Sequence, residues 1–305
     1  MLVRLPALVL CLAMIAPSQD LRAVERLLEA GEYAEALASL QEFPSDSAPR
    51  HFLTARALDA LDQPTRAAEE AQMAVDLDPQ SEAYRLQLGQ LFLTRNNPTA
   101  AAEIFVAALE SFPESQLLHL GAGLALNQLR QPDAAESHFR ACLERDPSLG
   151  LALDGLVEAH IQELNYEQAL AAADQFRHNN PQSYRGYYHL SVVKDKMGAP
   201  AEEIEALLAE ALKHNDGFAP AYVLLGKVLL QLNRHEEAVL MLEGAVRLKP
   251  DYAPGHIHLA RAYSATGRIG EAKREMKAAQ DLVAIQQQPA PSLRRNSTAS
   301  GIAGK

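Results

Sequence analysis

Between Ala219 and Tyr252 the apolar residues fall into two helical stripes separated by a polar turn. Tyr222, Leu225, Gly226 and Leu229 recur at three- and four-residue spacing, which predicts a first helix over about 221–232. Asn233, Arg234 and His235 interrupt the stripe. Ala238, Leu242 and Ala245 resume it, predicting a second helix over about 236–248. Lys249-Pro250-Asp251 ends that helix, because proline has no amide to donate and biases its predecessor away from helical angles. Gly226 and Ala238 are small, so the two helix backbones can approach closely.

The same pattern recurs along the chain. Pro79, Pro113, Pro147 and Pro181 stand 34 residues apart; after a step of 35 the slot holds Asp216, and 34 residues later Pro250 restores it. Twelve residues before each slot the side chain is small (Ala67, Ala101, Ala135, Ala169, Ala238), with Ile204 the exception. A fixed period of this length predicts stacked supersecondary units. Function is then expected on a surface, not in a catalytic pocket.

Arg85, Leu88, Gly89, Phe92, Ala101, Phe105, Ala108 and Pro113 follow an aromatic, Leu-Gly, Tyr, Ala, Phe, Ala, Pro pattern except at its first place. His119, Ala122, Gly123, Leu126, Ala135, Phe139, Cys142 and Pro147 follow it less fully, as do His51, Ala55, Leu58, Ala67, Ala74 and Pro79. Leu259, Ala260, Tyr263, Gly267, Ala272, Met276 and Ala279 close the series. The unit from Gly150 diverges, with Val157 at the glycine place, and the unit from Tyr184 takes one extra residue near Gly198-Ala199-Pro200. A shortened unit around Gly31-Glu32-Tyr33 opens the array. These residues resemble the tetratricopeptide repeat (TPR) family. The resemblance implies an all-α, right-handed α-α superhelix of about seven helix-turn-helix repeats over 19–284. Units are expected near 17–47, 48–81, 82–115, 116–149, 150–183, 184–218, 219–252 and 253–284.

In that family first helices line a concave groove and second helices form the back. Positions 5 and 9 of each first helix lie one turn apart and would face the groove. They read Phe52/Arg56, Leu86/Gln90, Leu120/Leu124, Asp154/Glu158, Tyr188/Val192, Val223/Lys227 and Ile257/Arg261. Such a groove is apolar, acidic at its middle and basic toward both ends. It suits an extended or helical peptide with apolar side chains and a basic residue near its centre. The plainer alternative is that Leu86, Leu120, Leu124 and Val223 fill gaps between repeats and that Arg56, Lys227 and Arg261 are solvated charges. Some family members clamp a C-terminal carboxylate with Lys and Asn; the matching places here hold Phe52, Arg56, Gln87, Leu117 and Gly121, so that clamp is not expected.

Composition narrows the partner. The 305 residues are 48% hydrophobic and 22% charged, with a formal net charge of −11, which argues against nucleic acid. The start reads as a signal peptide over 1–18: Arg4, an apolar run from Leu5 to Ala16, and the small-x-small Ala16-Pro17-Ser18 before Gln19. Export to the periplasm or medium is the expectation, with a membrane contact only through an uncleaved signal anchor; a cytoplasmic chain is the alternative. Cys11 would leave with that segment and Cys142 would remain as a small buried thiol at a slot otherwise held by alanine. Residues 285–305, with Pro289, Pro291 and no apolar period, read as a disordered tail.

Candidate chemistry is thin. His235-Glu236-Glu237-Ala238-Val239 has Val239 where a zinc protease motif needs its second histidine. Gly121-Ala122-Gly123 lacks the third glycine of a phosphate cradle. Asp154 and Glu158 share one helix face and lack the opposed placement that acid–base cleavage needs. His256 and His258 point to different sides of a helix. No catalytic residue, cofactor or metal is assigned. The reading is a non-catalytic scaffold that binds a protein or peptide in its groove. The alternatives are a structural subunit of a bacterial envelope or secretion/polysaccharide assembly, contacting partners through the convex back and repeat ends, and an accessory that binds polysaccharide.

Overall fold

The computed structural model describes residues 19–43 and 46–287. The expected signal segment 1–18 lies outside the described residues, as does the expected tail from 288 onward. Sixteen α-helices follow one another in the described residues, two per repeat, with no strand among them. That makes eight repeats, in line with the eight unit spans expected from the sequence, the shortened opening unit among them. The chain divides into two compact units, one ending at Leu129 and one running from Arg130.

The first unit holds α1 (Gln19–Glu29), α2 (Tyr33–Gln41), α3 (Ala48–Ala60), α4 (Pro64–Leu77), α5 (Glu82–Thr94), α6 (Pro98–Leu109) and α7 (Gln116–Gln128). Its core joins Leu21, Val24, Leu40, Phe52, Leu53 and Tyr84, all nearly inaccessible to solvent. Full burial of each such side chain contributes about 1.5–3 kcal/mol, which is how these short helices persist.

The second unit holds α8 (Pro132–Arg145), α9 (Gly150–Gln162), α10 (Tyr166–Asn179), α11 (Tyr184–Met197), α12 (Ala201–His214), α13 (Ala219–Gln231), α14 (His235–Leu248), α15 (Ala253–Ala265) and α16 (Ile269–Gln287). One core cluster joins Leu153, Val157, Phe176, Leu190 and Val193, and a second joins Ile204, Leu208, Val223, Leu242 and Leu259. Helix α13 starts two residues before its expected position, since Pro220 fits a first helical turn where no amide partner is needed. Helix α16 continues to Gln287, into the segment expected to be tail.

Small residues make room for large side chains more than for backbone. In the first unit a Cβ on Gly89 would lie 2.5 Å from the Phe105 ring, and one on Gly121 would lie 2.7 Å from it. In the second unit a Cβ on Gly155 would lie 2.2 Å from Phe139, and one on Gly226 would lie 2.4 Å from Leu242. Gly155 receives Phe139 from the preceding repeat, and Val157 is accommodated because the slot of Phe105 and Leu242 holds the small Ala173 in its own unit, in the same core cluster. Packing at this density leaves no slack for a methyl group.

Each turn within a repeat carries one left-handed residue. Asp62, Asn96, Arg130, Leu164 and Asn233 have φ between 56° and 61°, and Gly31, Gly198 and Gly267 take the same role elsewhere. The following amide then reaches back five residues, as in Asn165 N to His160 O at 2.8 Å and Arg234 N to Leu229 O at 2.9 Å. Leucine is an unfavourable occupant of that conformation, by roughly 1–2 kcal/mol. Two outcomes are expected in chemical denaturation: Leu164→Gly should stabilise by about 1 kcal/mol, and Gly155→Ala should destabilise by about 1–3 kcal/mol. A neutral Gly155→Ala would mean that Phe139 can vacate its notch.

Candidate first-helix binding face

The register places the candidate row on the odd-numbered helices from α3 to α15, and the structure separates it into buried and accessible members. In the first unit Phe52 and Leu120 are each 3% exposed and Leu86 is 9% exposed. Arg56, Gln90 and Leu124 are half-buried. The Arg56 guanidinium lies over the Phe52 ring at 5.9 Å, and Phe52 meets Tyr84 at 5.1 Å between centroids. Gln87 donates from Nε2 to the Phe52 carbonyl at 3.0 Å, tying α5 to α3. Arg95 does the same with side chains, to Asp59 at 2.9 Å and Asp62 at 2.7 Å. Position 5 here is a packing position, and position 9 is what a partner could touch.

The second unit divides differently. Val223 is buried, whereas Asp154, Tyr188, Val192, Lys227 and Ile257 are half-buried and Glu158 and Arg261 are exposed. Asp154 is taken up by the next first helix: Arg185 Nη1 and His189 Nε2 both reach its carboxylate, the latter at 2.6 Å. Burial alone would raise the Asp154 carboxyl, but His189 and Arg185 outweigh it and hold it below the ordinary aspartate value of 3.8. Lys227 Nζ bridges both oxygens of Asp195 at 2.8 and 2.6 Å. Tyr188 packs edge-on against Phe218 at 4.9 Å, and Phe218 meets Tyr184 at 4.7 Å. Burial, then the neighbouring Arg261 and Lys227 cations, push the His258 imidazole down.

The acidic middle expected from the row is thereby reduced to Glu158, which accepts from Gln162 Nε2 at 3.4 Å. Of its basic ends, Lys227 is taken up by Asp195, Arg261 makes no ion pair among the described residues, and Arg56 lies over Phe52. Arg185, His189, Asp195 and Phe218 escaped sequence reasoning. The signal was there: each ion-pair partner lies 31 to 35 residues from its mate, one repeat displaced by less than a turn.

The remaining candidates have structural partners. His256 is buried and bonded to Glu275 at 2.6 Å and to the Pro250 carbonyl at 2.9 Å. His51 occupies the same repeat position and bonds Glu70 at 2.6 Å and Asp46 at 2.7 Å. Gly121-Ala122-Gly123 lies within α7, and His235 begins α14. Cys142 is buried, which pushes its thiol up to about 12 and keeps it from acting as a thiolate.

Models described as tetratricopeptide repeat match residues 86–149, 155–220 and 219–252. No curated protein matches the chain. Among solved structures, a tetratricopeptide repeat protein from Parabacteroides merdae ATCC 43184 superposes with a TM-score of 0.64 at 17% identity, covering 85% of this chain and 97% of that one. Yeast Tom70 gives 0.65 at 17% identity, covering 88% of this chain and 57% of that one. A chain of the APC/C hetero-tetramer Cut9-Hcn1 gives 0.57 at 15% identity, covering 78% of this chain and 48% of that one. The chain thus spans about half the length of the latter two. At these identities the likeness shows the fold, an all-α tetratricopeptide solenoid.

The Asp154 pairing has a signed pH consequence. A carboxyl held low in the folded protein contributes stability above its unfolded value, and the contribution is lost as pH falls through the folded value. Asp154→Asn should therefore lower the thermal midpoint at pH 7, where Arg185 is charged. The gap from wild type should close as pH drops below 3.8. Melting curves across that range check it; a gap that persists at the lowest pH would assign the loss to packing.

Proposed function

The chain belongs to the tetratricopeptide repeat family, and we propose that it is a non-catalytic scaffold that holds a protein or peptide along the first-helix faces of its repeats. The observation that carries this is the leftover surface. After the fold has used Phe52, Leu86, Leu120 and Val223 as packing and has paired Asp154 and Lys227, Leu124 stays half-buried on the first unit's face. On the second unit's face Val192 and Ile257 are half-buried beside the exposed Glu158 and Arg261. Apolar side chains interspersed with unspent charges of both signs suit a peptide that presents a base to Glu158 and an acid to Arg261. The preformed helices spare the receptor any ordering cost on binding. Tom70 and the Cut9-Hcn1 hetero-tetramer share the fold, and the latter assembles with other chains.

A second reading has its own support. Leu164 is 69% exposed, Leu240 61% and Ile269 52%, all away from the first-helix row. Apolar groups so placed suit a subunit that meets its neighbours through turns and second helices. Export goes with either reading.

A photo-crosslinking residue separates the two. Placed at Val192 or Arg261, it should capture a partner, and Val192→Glu should abolish the adduct while helicity persists. Adducts only from Leu240 or Ile269 would overturn the groove and favour the assembly subunit. The intact mass of the recovered protein reports export: a chain starting near Gln19 is expected, and a full-length chain would reject cleavage.

A further inference from the structure

One interrupted place in the repeat stands apart from the partner-binding face. Counted from the start of each unit, position 11 holds Leu58, Phe92, Leu126, Leu229 and Tyr263, side chains that the core can bury. The unit from Tyr184 has Lys194 there, paired with Glu203 at 2.6 Å, and the Tyr263 hydroxyl is given to Glu243 at 2.7 Å. The unit from Gly150 has His160. Its residue is 2% exposed, and its Nδ1 makes no hydrogen bond. The nearest acid, Glu136 Oε2 on α8, stands 3.7 Å away, too far for one.

Two acids converge on this imidazole at slots that are mostly apolar in other units. Glu136 replaces residues such as Ala68, Ala102 and Val239, and Glu163 replaces Leu61, Leu129 and Leu232. One donor atom each from Glu136, His160 and Glu163 lies within 4.8 Å of the others. The Asp133 carboxyl lies against that of Glu163 and adds negative charge at the same place. Arg140 holds Glu136 by Oε1 at 2.7 Å, leaving Oε2 for His160. Three carboxylates against one guanidinium leave two negative charges around a neutral nitrogen donor.

We propose that Glu136, His160 and Glu163, backed by Asp133, bind a divalent transition-metal ion, Zn2+ by the mixed imidazole–carboxylate character of the donors. Ligands of a tetrahedral zinc stand about 3.4 Å apart at bonds of about 2.0–2.2 Å. The His160–Glu136 pair is already close to that separation, and the widest pair closes by rotation of partly exposed glutamates. Glu136 and Glu163 are themselves half-buried, so an ion can reach them from solvent, and a cavity of about 530 Å³ lined by Arg140, Leu156, His160 and Phe176 adjoins the histidine. Bound there, the ion pins the second helix of one repeat to the first helix of the next. The site is structural and independent of the peptide-binding reading.

The test uses the full chain stripped with chelator, then titrated with ZnCl2 by calorimetry and followed by thermal melting, with MgCl2 as the contrast. One Zn2+ per chain is expected, with a rise in midpoint of about 5 °C or more at a hundredfold excess over Kd. Glu136→Gln with Glu163→Gln should weaken binding at least about tenfold and cancel the rise, without loss of helicity. His160→Leu, which restores the residue usual at that position, should fold without metal and respond to none. Absence of Zn2+ binding, or unchanged affinity in the glutamine pair or in His160→Leu, would overturn the site and place any bound ion on other histidines.

Discussion

The fit of one bulky side chain into one glycine notch sets the geometry on which everything else in this protein rests. Phe105 fills the space that Cβ atoms on Gly89 and Gly121 would take, Phe139 fills that at Gly155, and Leu242 that at Gly226. In each case a side chain on a second helix fixes how near a first helix may come. The first helices then lie at a separation that their own side chains can bridge. An added methyl group would force a shift larger than the interior can absorb.

That separation explains a ladder of polar contacts spaced one repeat apart. Gln87 to the Phe52 carbonyl, Arg95 to Asp59, His189 to Asp154 and Lys227 to Asp195 each join a first helix to the next first helix of the same unit. Exposed ion pairs contribute little, about 0–1 kcal/mol each, whereas a partly desolvated carboxylate held by a guanidinium and an imidazole has no good alternative partner. The ladder therefore fixes register more than it adds stability. It also removes charges from the pool a ligand could meet. A surface read from residue types alone overstates its own polarity, because it counts Asp154 and Lys227 as available.

The helices, their turns and the repeat register were legible because periodicity of 3.6 and of 34 residues both survive substitution at single positions. The shortened opening unit was legible too, from Gly31-Glu32-Tyr33 and its end at Phe43-Pro44, although it lacks the full spacing that marks the others. Gly155 was overlooked for a physical reason: its notch receives Phe139 from the preceding unit, so a scan that asks each repeat for its own glycine finds only Val157. The candidate row was legible as a face and not as a surface. Helical spacing shows that Phe52 and Arg56 point the same way, but depth depends on the neighbouring helix. In the first unit position 5 meets that helix and position 9 stays accessible, whereas in the second Lys227 at position 9 is drawn across to Asp195.

A repeat protein also supplies its own controls, because each position is tested several times against nearly the same surroundings. Polar residues at core slots of this chain are resolved locally in most cases. His51 and His256, six repeats apart in the sequence yet identical in position, each find a glutamate on the second helix of their own repeat. Lys194 and Tyr263 at position 11 find acids as well. His160 alone among these side chains keeps a buried nitrogen without a hydrogen bond. An orphaned buried polar group costs about 1–3 kcal/mol, and a leucine at the same place would carry no such cost. Two glutamates at neighbouring apolar slots compound the expense where the repeat already has a cheaper solution five times over. Departures of this kind, clustered in space and unpaid by packing, separate the part of the chain that maintains the scaffold from the part that has been shaped for something the scaffold does not require.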